Sequence, residues 1–323
     1  MRSLILLLAA GVLTAADKPA FAVVEKVAGE VGFYTAEGHR ISGVKVGTHP
    51  HEIVLSPDKR HAYVSDNGIL WMTYAGEGGN TISVIDLEAR SKVDVISLGE
   101  YRRPHGMDID KRTGNLVITV ENPDGLLLVD PRQGRVLRKY DIQGEDPHMV
   151  LLDAKGEWAY VSNVGTSELA AVHLSSGQVK LMPVDARPQG AIFSPDGKLI
   201  YLTCSDGNSI VVLDAVRHKR LGTIKTGKGP GRVALAPDLR TLVYNLQPGE
   251  AVGFADLEAQ REVAQVPLGA KPLSLTLSAD GSLAFVGLQE VDKIAVISVP
   301  EKKVLRMLDT PQGAGPDPVL PLP

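Results

Sequence analysis

Three histidines in this sequence directly follow a proline, at Pro50-His51, Pro104-His105 and Pro147-His148. They lie 54 and 43 residues apart, so they can act together only if the fold returns the chain to the same place at each interval. Imidazole binds zinc, copper and iron, and it exchanges protons near neutral pH. The three histidines are therefore candidates for a metal site or for catalytic acid and base groups. The alternative is that they only satisfy neighbouring backbone groups.

Further polar residues recur in the same segments. A later apolar run in each segment ends in carboxylate or amide side chains, which are Asp66 and Asn67, Glu121 and Asn122, and Asn163. Glu121 is a fourth catalytic candidate, because a carboxylate beside an imidazole can orient it or share its proton. The other members of this group are candidate cofactor-binding residues, together with His49, Arg103, Arg187 and Gln189 near the same prolines.

A glycine-rich insertion follows the first of these apolar runs. Residues 68–79 read Gly-Ile-Leu-Trp-Met-Thr-Tyr-Ala-Gly-Glu-Gly-Gly. Apolar and aromatic residues between glycines are typical of a loop that covers a ligand, and Trp71 is a candidate ligand contact on this ground. The alternative is that Trp71 simply packs against a neighbouring part of the fold.

These segments belong to a repeat of about forty residues. Its regular markers are seven prolines, here called the linker prolines: Pro50, Pro104, Pro147, Pro188, Pro230, Pro272 and Pro316. Their spacings are 54, 43, 41, 42, 42 and 44 residues. Between them lie short runs rich in Val, Ile, Leu and Tyr, separated by turns such as Ser194-Pro195-Asp196-Gly197. Such runs favour strands, and Gly and Pro interrupt them too often for helices.

Four short strands per repeat predict a β-propeller. Residues 23–47 match the last three strands of a unit, and the segment after Pro316 has room for one strand. We therefore expect an all-β, seven-bladed propeller of four-stranded antiparallel blades, in which the N- and C-terminal segments pair and close the ring. Pro318, Pro321 and Pro323 fall in the closing segment, and this predicts that the closing strand is short.

The repeat also assigns the histidines to faces. His49, His51, His105 and His148 belong to the face that carries the linkers and the insertion, whereas His39, His61, His173 and His218 fall at turns of the opposite face. The innermost strand of each blade starts at a linker proline. His51, His105 and His148 should therefore converge at the mouth of the central channel.

Composition excludes several classes of protein. The chain has 323 residues, a formal net charge of −4 and one cysteine, Cys204. It cannot form an internal disulfide, and its acidic balance argues against nucleic-acid binding. No Gly-x-Ser-x-Gly, His-Glu-x-x-His or Cys-x-x-Cys pattern occurs, so the usual hydrolase and zinc motifs are missing.

The N-terminus has the features of a secretory signal peptide. A basic Met1-Arg2 start precedes an uncharged apolar run from Ser3 to Ala16, which is too short for a comfortable membrane span. Cleavage after Ala16 or after Ala22 would suit the small-residue rule. We expect residues 1–22 to form the leader, residues 23–323 to form a single domain, and the mature protein to be periplasmic or secreted.

The segments Tyr160-Val161-Ser162-Asn163 and Tyr63-Val64-Ser65-Asp66, with the recurring Ser-Pro-Asp-Gly turn, resemble the YVTN family of β-propeller repeat proteins. The resemblance covers essentially the whole mature chain. It implies an architecture similar to that of lactonase-type propellers and of the haem-binding propeller of nitrite reductase. Those proteins include enzymes, cofactor binders and interaction modules, so the resemblance does not choose a function.

Three functions stay open on this basis. The first is an exported, monomeric binding protein that holds a small molecule, a cofactor or a protein partner at the histidine-lined face. The second is a lactonase- or lyase-type enzyme linked to a metal or haem, using His51, His105, His148 and Glu121. The third is a cell-surface interaction module without catalysis.

Overall fold

The computed structural model describes residues 18–323, and it has seven four-stranded antiparallel sheets arranged as blades around a central channel. The predicted fold class is confirmed. The predicted signal peptide falls mainly on residues 1–17, outside the described residues. Within residues 18–323, no helix is long and apolar enough to cross a membrane.

Blade 1 is shared by the two ends of the described chain. It consists of β1 (Phe21–Glu25), β2 (Glu30–Tyr34), β3 (Arg40–Lys45) and β28 (Pro316–Pro321), in the order β28-β1-β2-β3. Val23 lies opposite Val319, and the register shifts between Val23 and Glu25. β28 spans six residues, which are enough to complete the blade although it contains three prolines. Because β28 is innermost, its prolines can face the channel edge, where no ladder partner is needed.

The other six blades follow the chain from the innermost strand to the outermost one. Blade 2 has β4 (Pro50–Leu55), β5 (His61–Asp66), β6 (Thr81–Asp86) and β7 (Ser91–Ser97), and blade 3 has β8 (Arg102–Ile109), β9 (Leu116–Asn122), β10 (Asp124–Asp130) and β11 (Arg135–Tyr140). Blade 4 has β12 (Pro147–Leu152), β13 (Trp158–Asn163), β14 (Glu168–His173) and β15 (Val179–Pro183). Blade 5 has β16 (Pro188–Phe193), β17 (Leu199–Cys204), β18 (Ser209–Asp214) and β19 (Lys219–Lys225).

Blade 6 has β20 (Pro230–Leu235), β21 (Thr241–Leu246), β22 (Ala251–Asp256) and β23 (Arg261–Pro267). Blade 7 has β24 (Thr276–Leu277), β25 (Leu283–Leu288), β26 (Lys293–Ser298) and β27 (Lys303–Asp309), with a short 3₁₀ turn at Gln289–Val291. The linker prolines open five of the innermost strands, and two blades depart from this rule. Pro104 lies two residues inside β8, and Pro272 precedes the short β24.

The hydrophobic core lies between neighbouring blades. One cluster joins Ile82 and Ile96 of blade 2 to Leu116 and Ile118 of blade 3, and all four side chains are buried. Another joins Val31 and Phe33 of blade 1 to Val64 of blade 2. Each blade thus buries its faces only when both neighbours are present, as expected for stacked repeats.

Candidate functional site

The seven residues that follow the linker prolines form a ring at the channel mouth, here called the inner ring. Its members are His51, His105, His148, Gln189, Gly231, Leu273 and Asp317. All seven line one cavity of about 130 Å³. Four of these residues, His51, His105, His148 and Gln189, were already candidates from the sequence, and Asp317 follows Pro316 by the same rule.

A repeated hydrogen bond holds the inner ring in place. The second strand of one blade carries a polar side chain that donates to a backbone carbonyl near the start of the next blade's innermost strand. The hydroxyl of Ser65 donates to the backbone carbonyl of His105 at 3.1 Å, and that of Thr119 donates to the backbone carbonyl of His148 at 2.7 Å. The hydroxyl of Ser162 donates to the backbone carbonyl of Gln189 at 2.8 Å. Asn245 contacts the Pro272 oxygen at 2.8 Å in a related way. The blade interfaces therefore fix the backbone from which each ring side chain starts.

The three histidines of the inner ring pack against one another. The ring centroids of His51 and His105 are 3.8 Å apart, and those of His105 and His148 are 4.4 Å apart. Burial lowers the pKa of both His51 and His148 well below the usual value, and the neighbouring cationic groups lower it further. These two imidazoles are therefore neutral in the folded protein at neutral pH.

His105 is oriented by Glu121. Its Nδ1 lies 2.5 Å from Oε1 of Glu121, and a carboxylate oxygen can only accept, so Nδ1 carries the proton. In the neutral ring, Nε2 is then a hydrogen-bond acceptor. Within residues 18–323 this Nε2 is buried without a partner, and so is Nδ1 of His148. Unpaired buried polar atoms are costly, and both of these belong to cavity-lining residues.

Charged residues that the sequence analysis did not single out complete the wall. Lys26, in the turn after β1, is buried and lies 3.5 Å from Asp317, and burial lowers the pKa of its amine. Arg232 bonds Glu52 across the channel, and burial raises the pKa of Glu52. Glu52 and Arg232 stand one residue further along their strands than the inner ring, so the repeat could have indicated them.

The Glu52–Arg232 pair divides the channel. Arg232 lines both the mouth cavity and a second cavity of about 240 Å³, which lies deeper in the channel and also includes Glu52 and Met149. The two partners belong to blades 2 and 6, on opposite sides of the ring. The mouth cavity is consequently closed from below by an ion pair.

The insertion between β5 and β6 covers the mouth from above. Leu70, Trp71, Met72 and Thr73 line the cavity, and the Trp71 ring lies 5.7 Å from the Lys26 amine and 5.0 Å from that of Lys271. Trp71 from blade 2 thus reaches residues of blades 1 and 7. The two ends of the insertion meet at its base. Gly68 and Gly79 approach each other so closely there that a Cβ atom on Gly68 would clash with the Gly79 nitrogen.

Arg103 holds the insertion, residues 68–79, which is here called the cap, in place over the mouth. Its Nη2 donates to the carbonyl oxygens of Tyr74 at 2.7 Å and Gly76 at 2.8 Å, and its Nη1 lies 3.5 Å from Oε2 of Glu121. Arg103, Glu121 and His105 therefore form a continuous polar chain from the cap to the cavity.

The candidate residues from the sequence fall into three groups. His51, His105, His148, Gln189, Arg187 and Trp71 line the cavity. Glu121, Arg103 and Asn67 support it from outside, Asn67 by donating to the Pro104 oxygen at 3.2 Å. His49, Asp66, Asn122 and Asn163 are not among its lining residues.

The last group has other environments. Asp66 accepts hydrogen bonds from the Gly47 nitrogen and from the Thr81 and Ser83 hydroxyls, each at 2.8 Å, so it stabilises blade 2. His49 lies 3.3 Å from the Lys26 carbonyl, Asn122 is exposed, and Asn163 is buried. On the opposite face, His173 and His218 both pack against Trp158.

The site does not suit the two cofactors considered from the sequence. Within the described part of the chain, no group of three or more His, Cys, Asp and Glu side chains is arranged to hold a metal ion. A cavity of about 130 Å³ is also below the roughly 300–1,000 Å³ of pockets for drug-sized ligands. A haem-type macrocycle does not fit beneath the cap.

Known proteins of similar fold include two of stated activity. The periplasmic gluconolactonase PpgL of Pseudomonas aeruginosa has 15% sequence identity and a TM-score of 0.74, with 94% of this chain and 99% of that chain covered. The dihydro-heme d1 dehydrogenase NirN has 17% identity and a TM-score of 0.68, with 94% and 66% covered. At these identities the likeness shows the fold alone.

The sequence relationships are more specific. An uncharacterized protein, YncE of Salmonella typhimurium, is 22% identical over 206 residues, which are 61% of this chain and 54% of that protein. The match thus spans about half the length of that relative. Residues 8–322 match the YNCE-like beta-propeller family, and the chain belongs to this family.

Proposed function

We propose that this protein binds a small molecule in the capped cavity at the channel mouth. The observation that carries the proposal is the convergence of all seven inner-ring residues on one cavity that contains two buried imidazole nitrogens without a partner in residues 18–323. Burying such atoms costs about 1–3 kcal/mol each unless a ligand or water satisfies them. The proposal includes export to the periplasm or cell exterior, which the leader-like N-terminus supports.

Equilibrium dialysis against a defined mixture of organic acids, sugars and amines, read by mass spectrometry, tests the proposal. We expect the wild-type protein to retain one class of compound and Leu273→Trp, which fills the cavity, to retain none. Val216→Trp places the same side chain at a position that is 67% exposed on the opposite face, and it should bind like wild type. Equal retention by wild type and Leu273→Trp would overturn the proposal.

A second candidate function is hydrolysis of a small cyclic ester, and the His105–Glu121 pair favours it. Nε2 of His105 would take a proton from water as the water oxygen attacks the ester carbonyl, while Glu121 holds the Nδ1 proton. The imidazolium would then return a proton to the leaving alkoxide. The gluconolactonase of similar fold makes an aldonolactone a reasonable probe.

Hydrolysis of gluconolactone, followed by acid release, tests this second candidate. We expect loss of turnover in His105→Gln and a reduced rate in Glu121→Gln, while Val216→Trp, on the opposite face, stays active. A wild-type rate no higher than that of His105→Gln would exclude His105 as the base for this probe.

A further inference from the structure

We infer that the ligand of the channel-mouth cavity is a small hydroxycarboxylate, held through its carboxylate by Arg187 and through its hydroxyl by His105. This inference rests on the proposed binding function and specifies its ligand. It follows from the charges on the cavity wall and from the hydrogen-bonding state of the histidines.

The charged groups of the cavity cancel in pairs, except for one. Lys26 is compensated by Asp317 and Arg232 by Glu52. Arg187 lines the same cavity, and it takes part in none of the ion pairs found among residues 18–323. It is near enough to His148 to lower the pKa of that imidazole. The wall therefore carries about one uncompensated positive charge.

One positive charge on a planar guanidinium fits one carboxylate. Arginine binds carboxylates through two parallel hydrogen bonds. A phosphate carries up to two negative charges near neutral pH, and the second charge would lie uncompensated in a cavity closed by the cap and by the Glu52–Arg232 pair. A monocarboxylate is thus the better match.

The histidines specify the second group of the ligand. When Nδ1 of a neutral His105 ring donates to Glu121, Nε2 is an acceptor, and this buried atom has no partner among residues 18–323. A hydroxyl supplies a donor without charge. An ammonium group would also donate, but with the carboxylate of the ligand compensating Arg187, and with Lys26 and Arg232 already paired, it would leave one positive charge uncompensated in the cavity. A hydroxyl is therefore favoured over an amine.

Isothermal titration calorimetry with four probes tests the inference on the wild-type protein. Glycolate carries both groups, acetate lacks the hydroxyl, glycolamide lacks the charge, and glycine replaces the hydroxyl with ammonium. We expect glycolate to bind at least about tenfold more tightly than each of the others. Acetate loses the hydrogen bond of the hydroxyl, glycolamide loses the charge contact with Arg187, and glycine adds a positive charge that nothing in the cavity compensates. Inorganic phosphate should bind more weakly than glycolate.

Variants assign the contacts. Arg187→Gln should weaken glycolate binding by about ten- to a hundredfold, whereas Arg135→Gln, an exposed change on β11, should not alter it. His105→Phe, which has no hydrogen-bond acceptor, should abolish the preference for glycolate over acetate. Arg187→Lys, which keeps the charge but loses the paired hydrogen bonds, should weaken glycolate binding less than Arg187→Gln and serves as a second variant if Arg187→Gln does not fold. Equal binding of glycolate and glycolamide, or no glycolate binding, would overturn the inference. If dialysis still shows a retained compound that Leu273→Trp loses, the binding function stands and only its ligand class is wrong.

Discussion

The guanidinium of Arg232 meets the carboxylate of Glu52 across the central channel, although 180 residues separate the two positions. The side chains are 15% and 10% exposed, so water screens the pair weakly. Arg232 lines the cavities on both sides of the pair, which makes it part of the cavity floor as well as a contact between opposite blades.

Breaking this pair should be costly, and removing both charges should cost less. Glu52→Gln or Arg232→Met alone leaves one buried charge without its partner, and we expect each to lower the free energy of unfolding by about 3–5 kcal/mol. The double variant should lose less than the sum of the two. Urea unfolding of all four proteins measures the coupling, and additive losses would show that the pair contributes nothing beyond its separate residues.

Loosening the cap should leave the fold intact. Arg103→Met removes the hydrogen bonds to the Tyr74 and Gly76 carbonyls, so amide hydrogens of residues 69–79 should exchange faster while those of β9 and β13 stay protected. Arg102→Met is the matched control, since Arg102 contacts the cap at longer distances, 3.3 Å to the Gly78 oxygen and 3.5 Å to Glu77. Unchanged exchange in Arg103→Met would mean that packing alone holds the cap.

The bonds between blades should set the geometry of the inner ring. Thr119→Val keeps the shape of the side chain but removes the 2.7 Å hydrogen bond to the His148 carbonyl and the 2.8 Å hydrogen bond that the hydroxyl accepts from the Gly106 nitrogen. We expect a loss of about 1–2 kcal/mol in unfolding free energy, and weaker binding at the cavity than this loss of stability alone explains. Thr113→Val, at an exposed turn, provides the comparison. If Thr119→Val is less stable but binds as tightly as wild type, the hydrogen bonds of Thr119 contribute to stability and not to the geometry of the cavity.

Acid should destabilise the protein partly through His148. Burial and the nearby His105, Arg232, Arg187 and Lys26 hold its folded pKa below that of the unfolded chain. The unfolded state therefore binds a proton first as the pH falls below about 6.5, and stability falls with it. Between pH 6.5 and 5.5, the free energy of unfolding should fall by about 1 kcal/mol less in His148→Gln than in wild type.

Urea unfolding at pH 7.5, 6.5 and 5.5 measures this difference. Gln189→Asn removes no titrating group from the ring and should run parallel to wild type. Glu52, whose raised pKa acts in the opposite direction, is present in every protein compared and cancels in the difference. Parallel profiles for wild type and His148→Gln would contradict the expected titration.

For the predicted leader, we expect cleavage after Ala16, so that the mature chain begins at Asp17. Phe21 and Ala22 lie in β1 and are only 1% and 0% exposed, and Phe21 pairs with both Tyr34 and Pro321. Cleavage after Ala22 would remove two buried residues of the closing blade. The intact mass of the exported protein decides the matter, and a mature chain beginning at Val23 would refute this choice of site.

The sequence was sufficient for the blades because each one is encoded locally. A linker proline, apolar runs and Asp-Gly turns recur at nearly constant intervals, and ring closure followed from the missing strand at one end and the extra strand at the other. The convergence of His51, His105 and His148 followed from the same rule. Asp317 obeys it too, although it lies between two prolines, Pro316 and Pro318, in the closing strand.

Other parts of the site depend on distances across the ring. Nothing in the local sequence couples Glu52 to Arg232, since the contact exists only when blades 2 and 6 face each other. Asp66 ends the second strand of its blade, as the cavity candidates from the sequence do. Its carboxylate nevertheless accepts hydrogen bonds from Gly47, Thr81 and Ser83, within its own blade and the linker before it. Local sequence patterns do not distinguish a polar side chain that faces the channel from one whose hydrogen bonds are made within its own blade.

The position of β28 links the cavity to closure of the ring. This strand supplies Asp317 to the inner ring and pairs with β1 to finish blade 1. Local separation of β28 from β1 would therefore open blade 1 and remove one wall of the cavity at the same time. The integrity of the mouth cavity depends on a strand pair between two segments that lie about 300 residues apart in the chain.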